Sequence, residues 1–485
     1  MHDSTVAKTD ESAPSAATAP TPGPPRGFWS QVREALHGTR QDFTEGPIGR
    51  SILLLAVPMV LEMGMESIFA VADVFFVAHL GADAVATVGI TESMMTIVYA
   101  LAMGLSIGAM AMVARRIGEK DPERAAVVAV QGIALGVLVA VPLGALGAVF
   151  APRLLSAMGG APWVVEQGVR YTRVMFAGNA TILLLFLINA IFRGAGDAAI
   201  SMRVLWLANS INIALGPCLI FGLGPFPKLG VAGAAIATTC GRGIGVLYQL
   251  YRLSRGDARV TVRRIHLRLE WRTMLSMLRL SGSAVVQMLI GTSSWLGLVR
   301  IIAGFGSAAV AGYTIAIRIV LFALLPSWGM SNAAATMVGQ SLGALKPARA
   351  ERAAWLASAY NCAFLGAIGL LFVLAAEPLI ALFTRDPQIA GTAVDALRII
   401  SAGFPFYAFG MVLTAAFNGA GDTFTPTLLN LVCFWLCEIP LGFVLARPLG
   451  RGPRGVYAAI AVAFSLFACL SMALFRRGTW KTRKV

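Results

Sequence analysis

Three carboxylic acids lie within the first long apolar stretch of the sequence, residues 52–77. They are Glu62, Glu66 and Asp73. If the stretch is an α-helix, with about 100° between successive residues, the three side chains form one narrow stripe about 16 Å long. A charged side chain inside a bilayer is costly, so acids kept there usually serve a function. The stripe therefore predicts a polar, protein-lined interior beside this helix.

Grouped carboxyls in a region of low dielectric constant cannot all be ionised together, so they can bind a proton or a small cation. We therefore predict a role in ion coupling for the stripe as a unit, with ion binding linked to a change in the conformation of the protein. The alternative is a structural role, in which the carboxyls bond only to neighbouring helices. Glu438, in the eleventh apolar stretch, is the other acid well inside a predicted helix, and structural pairing is the favoured interpretation there.

The elements that carry these acids are predicted to be membrane-spanning helices. Of the 485 residues, 57% are hydrophobic and only 13% are charged. Soluble domains contain roughly 25% charged residues, so most of this surface cannot face water. The predicted fold class is all-α integral membrane, with twelve transmembrane helices. Each apolar stretch reaches or approaches the length that crosses a bilayer, and the twelve are 52–77, 91–113, 125–149, 174–192, 204–224, 230–251, 284–303, 310–338, 353–375, 399–417, 427–446 and 456–475.

An internal repeat relates the two halves of the chain. LGADAVATVGI (80–90) resembles FGSAAVAGYTI (305–315), and FRGAGDA (192–198) resembles FNGAGDT (417–423), with 225 residues between the members of each pair. Each half contains six predicted helices, so both halves enter and leave the membrane on the same side and form parallel repeats. Transporters built in this way bind their substrate between the repeats, in a central cavity near the middle of the membrane.

The repeat also predicts the domain boundaries. A disordered or amphipathic tail (1–45) precedes the first lobe (46–254), a basic linker (255–278) joins it to the second lobe (279–476), and a basic tail (477–485) follows. The net charge of +15 is concentrated in the linker, the tail and alternate loops. By the positive-inside rule, both termini lie in the cytoplasm. This distribution accounts for the charge, and no nucleic-acid partner is expected.

Two glycine-rich turns, RGAGD (193–197) and NGAGD (418–422), superficially resemble phosphate-binding loops. They lack the Lys-Ser/Thr pair of a P-loop, and no strand precedes them. We interpret them as tight helix–turn–helix connections in which each aspartate caps the following helix. The predicted turn residues are Gly194, Gly196, Asp197, Gly419, Gly421 and Asp422.

The second half does not repeat the acid stripe. The positions 225 residues beyond the three acids hold Gln287, Gly291 and Leu298. Methionine and aromatic side chains instead suggest an apolar, permissive cavity, with plain helix packing as the alternative. The candidate cavity residues are Met59, Met63, Gln287, Met330, Phe404 and Tyr407.

Taken together, these features resemble the multidrug and toxic compound extrusion (MATE) transporters, and most closely their DinF-like branch. The resemblance covers about residues 44–478. It rests on TEGPIGRSILLLAVPMVLEMG (44–64), VADVFFVAHLG (71–81), the paired GAGD turns and VGQSLGALKPARA (338–350). It implies two bundles around a central cavity, alternating access, and antiport against H⁺ or Na⁺.

The resemblance also implies site residues. Asp73 matches the helix 1 aspartate linked to ion coupling in that branch, and Asn212 matches the helix 5 asparagine beside it. The branch's helix 5 aspartate falls on Gly216, and the helix 7 glutamate of the other branch falls on Gly291.

Because both of those acids are missing, we hypothesise that Glu66, together with Glu62, replaces them and that helix 1 alone carries the coupling. The predicted ion-coupling residues are Asp73, Glu66, Glu62 and Asn212. Ion binding would neutralise the stripe and let helix 1 repack, with a bend at Pro58, where proline frees a backbone carbonyl.

The predicted function is secondary active multidrug efflux, an antiport of small, often cationic and amphipathic molecules against H⁺ or Na⁺. The predicted setting is the bacterial plasma (inner) membrane, with a monomeric chain and no cofactor, metal or enzymatic activity. The first alternative is a lipid-linked oligosaccharide flippase of the same fold, which Arg300 and Arg318 inside second-half helices mildly favour. The second alternative, a membrane-embedded enzyme acting on lipid, is disfavoured because none of the 4 histidines lies well inside a predicted helix.

Overall fold

The structure is a computed structural model that describes residues 27–39 and 41–483. The predicted disorder of the first 26 residues lies outside these described residues. Helix α1 (Phe28–His37) is amphipathic and precedes the first long helix. Its Phe28 and Trp29 side chains are exposed, whereas Ala35 is buried.

The first lobe contains seven helices that form six spans. Prolines occupy the first positions of two of them, α4 and α5. The N–H that proline lacks would have no intrahelical acceptor at that position, so its absence costs no hydrogen bond. Helices α5 and α6 form one span, which begins well before the predicted residue 174 because the start of α5 carries polar residues. The seven helices are α2 (Ile48–Ala78), α3 (Ala82–Gly118), α4 (Pro122–Ala157), α5 (Pro162–Ala177), α6 (Asn179–Ala195), α7 (Ala198–Phe221) and α8 (Val231–Arg255).

The second lobe repeats this order with more irregular helices. Its first helix begins at Trp271, inside the predicted linker, because the span continues beyond its apolar part. Helices α13 and α14 meet at a bend of 55°, and a π-helical segment, Leu431–Glu438, joins α15 to α16. The helices are α9 (Trp271–Ala303), α10 (Ser307–Gly343), α11 (Pro347–Leu374), α12 (Ala376–Ala381), α13 (Pro387–Ala402), α14 (Phe404–Gly419), α15 (Phe424–Asn430), α16 (Ile439–Ala446) and α17 (Pro453–Arg477).

The number of spans agrees with the sequence. Within the described residues, 11 helices are long and apolar enough to cross a membrane, and the bent pair α13–α14 makes 12. The prediction of an all-α integral membrane fold with two six-span repeats is therefore confirmed.

Three parts of the chain meet at one end of the bundle: residues 27–39 with 41–47, the linker 256–270 and the C-terminal segment 478–483. We call this end the linker side and the opposite end the far side. Toward the far side, Glu92 of α3 and Arg318 of α10 are both exposed and within electrostatic range of each other across the two lobes. We call the space between these two exposed side chains the cleft between the lobes.

Hydrogen bonds from arginines close the linker side. Arg349, at the start of α11, donates to the backbone oxygen of Phe43 at 2.9 Å. Arg115, near the end of α3, donates to the backbone oxygen of Arg483 at 2.6 Å. Each bond joins one lobe to a described segment, around Phe43 or Arg483, that is packed on the other lobe, so these two segments hold the lobes together.

Small residues let the two lobes approach closely between the cleft and the linker side. A Cβ atom added to Gly329 of α10 would lie 2.6 Å from Val60 N and 2.7 Å from Met59 O of α2. In the second contact, a Cβ on Gly104 of α3 would lie 2.8 Å from Val285 N and 3.0 Å from Ser281 O of α9. Neither position can accept a larger side chain without separating the helices, as in other close helix contacts within membranes.

Replacing Gly329 by valine is expected to open the linker side. Overpacking of this kind costs about 1–3 kcal/mol, so the ratio of closed to open molecules should fall by roughly tenfold. A cysteine at buried Ala334, introduced into a cysteine-free background, would then react about tenfold faster with a water-soluble maleimide. Gly282→Val is the control, since nothing lies within 4 Å of that position. Equal labelling rates in the two variants would contradict the expectation.

Candidate functional site

The three acids of α2 all point into the first lobe, but each meets a different environment. Glu62 lies deepest, with 1% of its surface exposed. Its Oε1 accepts hydrogen bonds from Asn189 Nδ2 at 3.2 Å and from Arg193 Nη1 at 3.1 Å, both on α6. Gln249 of α8 donates to Asn189 Oδ1 at 2.7 Å and extends the network. Glu62 is therefore half of a buried ion pair.

Glu66, one helical turn nearer the far side, has a more open environment. Its Oε2 accepts a hydrogen bond from Asn209 Nδ2 of α7 at 3.0 Å. Its Oε1 lies 3.8 Å from Nη2 of Arg242, and 21% of the glutamate side chain is exposed. The carboxylate thus sits between an amide donor and a guanidinium group, with access to the interior of the lobe.

Arg242, on α8, is a buried cation at the centre of this site, with 4% of its surface exposed. Its Nη1 donates to the hydroxyl of Tyr99 at 3.2 Å. Its guanidinium carbon also lies 5.8 Å from the ring centre of Phe69 and 5.9 Å from that of Tyr99. Aromatic faces stabilise a desolvated cation, and the guanidinium is within electrostatic range of both Glu66 and Asp73.

Asp73 lies about 10 Å farther along α2 than Glu66. It is partly exposed and accepts no hydrogen bond from the described residues. Its charge interacts with those of Arg242 and of Glu92 on α3. Asp73 is therefore the acid of the stripe nearest the cleft, and its carboxylate is free to take up a ligand.

Asn212, expected beside Asp73, donates instead to Thr238 Oγ1 of α8 at 2.8 Å. The structure thus brings it into the same lobe interior but not into hydrogen-bond contact with the aspartate. At Gly216, where the resemblance implies an acid, an added Cβ would lie 3.9 Å from Asn212 Oδ1 and 3.9 Å from a ring carbon of Phe76. An acid at that position would have joined the site.

The sequence interpretation missed four residues of the network: Arg242, Arg193, Asn189 and Asn209. The glycine-rich motif places Arg193 only in a turn, and no motif contains Arg242. A signal for Arg242 was present, because an arginine within an apolar helix is as costly as an acid. The two asparagines carried no signal of this kind.

Two of the candidate cavity residues are packed against other helices in this conformation. Met59 is 1% exposed and lies against Gly329 at the contact between the lobes. Phe404 is fully buried in the second lobe, with its ring centre 6.1 Å from that of Phe372. Neither side chain reaches the cleft in this conformation, because close helix packing fills the space around both.

The other four cavity candidates are also largely occupied by contacts with neighbouring helices. Gln287 is buried and accepts a hydrogen bond from Asn418 Nδ2 at 3.4 Å. Met63 is also buried. Met330 and Tyr407 retain partial exposure. The role of all six candidates in holding a substrate stays a prediction.

The glycine-rich turns have two different geometric reasons for their glycines. Gly196 and Gly421 have φ values of +90° and +85°, a region that disfavours side chains. Gly194 faces α3, and a Cβ there would lie 2.7 Å from the backbone oxygen of Met110. Gly419 packs in the same way against α10.

The two aspartates of these turns differ. Asp422 accepts a hydrogen bond from the backbone N–H of Thr425 at 3.4 Å, as a helix cap does. Asp197 accepts instead from the backbone N–H of Arg259 in the linker, at 2.7 Å. Burial raises the pKa of Asp197, while the nearby Arg259 opposes that effect. The prediction that Asp197 caps α7 is wrong, because the linker supplies a competing donor and a charge.

Among the residues that the structure describes, no group of three or more His, Cys, Asp or Glu side chains is placed to hold a metal ion. Arg318, one of two arginines that favoured the flippase alternative, interacts with Glu92 at the cleft. The other, Arg300, lies in a pocket between α9 and α16. The charged groups closest to the cleft thus include acids of the first lobe as well as arginine.

Comparisons with known proteins agree with this architecture. The MatE family model matches the chain twice, over residues 58–218 and 283–444. The starts of the two matches are separated by the same 225 residues that relate the sequence repeats.

Curated relatives and solved structures match over nearly the whole chain. The probable multidrug resistance protein NorM of Thermotoga maritima is 26% identical over 442 residues, covering 90% of this chain and 94% of that protein. The FAD transporter of Shewanella oneidensis is 26% identical over 431 residues, covering 86% and 95%. The solved structure of an outward-facing multidrug resistance MATE family transporter has a TM-score of 0.85 and 27% identity, covering 91% of this chain and 98% of that one. A MATE structure in the bent conformation has a TM-score of 0.84 and 26% identity, covering 92% and 97%.

Two six-span repeats, a cleft between them and a charged network inside one repeat define a multi-pass membrane transporter. The chain belongs to the MatE family. The predicted family is thereby confirmed, whereas the DinF-like branch stays a prediction.

Proposed function

We propose that the protein exports small organic molecules, often cationic and amphipathic, from the bacterial cytoplasm in exchange for protons. Relatives named as multidrug resistance proteins support the substrate class. The basic segments of the linker side favour a cytoplasmic position for that side, under the positive-inside rule. The cleft would then open toward the outside, and substrate would leave through it.

The observation that carries the proposal is the position of Arg242 between two acids of α2. With Glu66 and Asp73 ionised, the guanidinium offsets only one of two negative charges. The remaining charge attracts a cation into the first lobe. Neutralising Asp73, the acid nearest the cleft, would balance the site and remove its need for polar contact. Glu62, already paired with Arg193, has a structural role in this scheme.

The surroundings of Glu66 favour a proton over sodium as the coupling ion. Hard metal cations need several oxygen ligands, but the groups that contact Glu66 are the amide nitrogen of Asn209 and the guanidinium of Arg242. Both are hydrogen-bond donors, and Arg242 repels a metal cation. A proton needs only one carboxyl oxygen, so the site suits it.

Proton binding would act through α2. Pro58 lies inside this helix, directly before Met59 and Val60, which contact Gly329 of the second lobe. A bend at Pro58 would therefore disturb the contact that closes the lobes. Ion and substrate would compete through this conformational equilibrium, whose shift is limited by the difference in affinity between the two states.

Efflux of a cationic dye from proteoliposomes tests the proposal. An imposed pH jump is expected to drive efflux, whereas a sodium jump at constant pH is not. Asp73→Asn should abolish the proton-driven component, because an amide cannot take up the proton. Asp83→Asn, at the start of α3, is the matched control and should behave like the unmodified protein.

Efflux that is unaffected by both an uncoupler and sodium removal would refute antiport. Efflux driven by sodium alone would refute the proton while leaving antiport standing. If Glu66→Gln leaves flux intact while Asp73→Asn abolishes it, the hypothesis that Glu66 replaces a missing family acid fails.

A further inference from the structure

The second lobe contains a buried acid that the mechanism above does not use. Glu438 is 5% exposed and ends the π-helical segment Leu431–Glu438. Short π-helical turns within α-helices are rare and frequent at functional sites. An isolated carboxylate is costly in such a place, so its contacts decide which form is stable.

The contacts of Glu438 involve more hydrogen-bond acceptors than donors if its carboxyl is ionised. Ser294 Oγ of α9 lies 2.9 Å from Glu438 Oε2 and 3.1 Å from the backbone oxygen of Phe434. The serine hydroxyl has one hydrogen, so it cannot make two full bonds to two acceptors. If Glu438 is protonated, its O–H donates to Ser294 Oγ, and the serine donates to Phe434 O. Every contact then has a donor.

The position of this pair corresponds to that of the first-lobe site. Helix α9 is the first span of its repeat and the α15–α16 helix is the fifth, as α2 and α7 are in the first lobe. There, α2 supplies the acid Glu66 and α7 supplies the neutral partner Asn209. In the second lobe, α9 supplies the neutral partner and the fifth span supplies the acid. The duplication thus gives each lobe one acid–neutral pair between equivalent spans.

The groups around Glu438 do not compensate a negative charge. Among the described residues, no ion pair involves this side chain. The titratable groups that interact electrostatically with it are tyrosines and cysteines. Both types are ordinarily neutral at physiological pH. From α17, Tyr457 stacks on one of these tyrosines with ring centres 5.9 Å apart. The groups that sense the charge are Tyr313 of α10, Tyr407 of α14, and Cys433 and Cys437 of the π-helical segment.

A pocket lies between the same two spans, on the far side of the pair. Along the helix axes, it begins about 7.5–9 Å beyond the pair, as judged from the rise per residue. Two of its lining residues are arginines, whose charge repels cations of every kind, so the pocket supplies an opening from the far side and no attraction for the ion. The lining residues are Arg300, Ile301, Ala303, Gly304, Phe443 and Arg447.

We propose that Glu438 and Ser294 form a second proton-binding site, located in the second lobe and loaded from the far side. In the state shown, the carboxyl holds the proton and donates it in a hydrogen bond to Ser294. Release returns the proton to water and leaves a carboxylate. Ser294 then donates its hydrogen to this carboxylate, so its hydrogen bond to the backbone oxygen of Phe434 is lost. Any contribution of this proton to export rests on the proposed function, but the site itself does not.

Infrared spectroscopy of the purified protein in detergent, titrated from alkaline to acidic pH without substrate or gradient, tests the site. Protonated carboxyls give a C=O stretching band that carboxylates lack. We expect one component of this band to be lost in Glu438→Gln, a neutral mimic of the protonated acid that should fold. Ser294→Ala should keep that component but shift its frequency, because the acid loses its hydrogen-bond acceptor.

Two controls separate this site from others. Glu377→Gln, at an exposed acid of the second lobe, should leave the Glu438 component unchanged, and Asp73→Asn should remove a different component. Identical spectra for Glu438→Gln and the unmodified protein at every pH would overturn the proposal. So would a frequency that Ser294→Ala leaves unshifted. If the Glu438 component is present but dye efflux ignores the pH gradient, the site stands and the proposed function fails.

Discussion

Replacing Arg242 by methionine is expected to reduce proton-driven efflux by roughly tenfold or more, since an imbalance of only about 1.4 kcal/mol has that effect. Methionine retains much of the apolar contact with Phe69 and Tyr99 but removes the charge. Glu66 and Asp73 would then share the first lobe with no cation between them. Neighbouring carboxyls without a counter-charge favour their neutral forms, so the site would bind its proton and release it poorly.

The loss of the Arg242 charge should also change the pH dependence of efflux. Without the guanidinium, proton release requires a lower proton concentration, so the remaining activity should move to more alkaline pH. Arg242→Lys keeps the charge but cannot contact Tyr99 and Glu66 with the planar fork of arginine. Its pH profile should therefore lie between those of Arg242→Met and the unmodified protein. The measurement is dye efflux as a function of pH, with the exposed Arg170→Met as the matched control. An unchanged pH profile in Arg242→Met would show that the arginine only fills space.

The fold could be predicted from the sequence because its determinants are local or periodic. Apolar stretches mark spans without reference to their neighbours, and the constant spacing of the two GAGD turns reveals the duplication. Span ends are harder to predict where charged residues continue a helix beyond its apolar part. Helix α9 begins at Trp271 for this reason, inside a segment that composition alone assigns to the linker.

The site could be predicted only in part, because its partners are distant in sequence. The helical period places the three acids of α2 on one face, and the structure directs all three into the first lobe. The period does not indicate that Arg193 pairs with Glu62 or that Arg242 lies beside Glu66, since those contacts depend on how helices rotate when they pack. Asp197 shows the same limit: its turn is local, but Arg259 of the linker decides what its carboxyl binds.

Breaking the ion pair between Glu62 and Arg193 is expected to destabilise the protein strongly. The two side chains are 1% and 8% exposed, and their nearest atoms are 3.1 Å apart. Removing one partner leaves the other charge buried, which costs about 3–5 kcal/mol. Glu62→Met and Arg193→Met should each show this loss in the denaturant midpoint for unfolding in detergent.

The double variant should recover much of that loss, because replacing both members of a buried pair by apolar residues of similar size is often neutral. The resulting double-mutant cycle measures the coupling free energy directly. The exposed pair of Glu377 and Arg398 is the matched control, where the same substitutions should change stability by less than about 1 kcal/mol. If the effects at Glu62 and Arg193 add to within about 0.5 kcal/mol, the two charges do not stabilise each other. Glu62 would then be released for ion coupling together with Glu66 and Asp73, as the stripe on α2 first suggested.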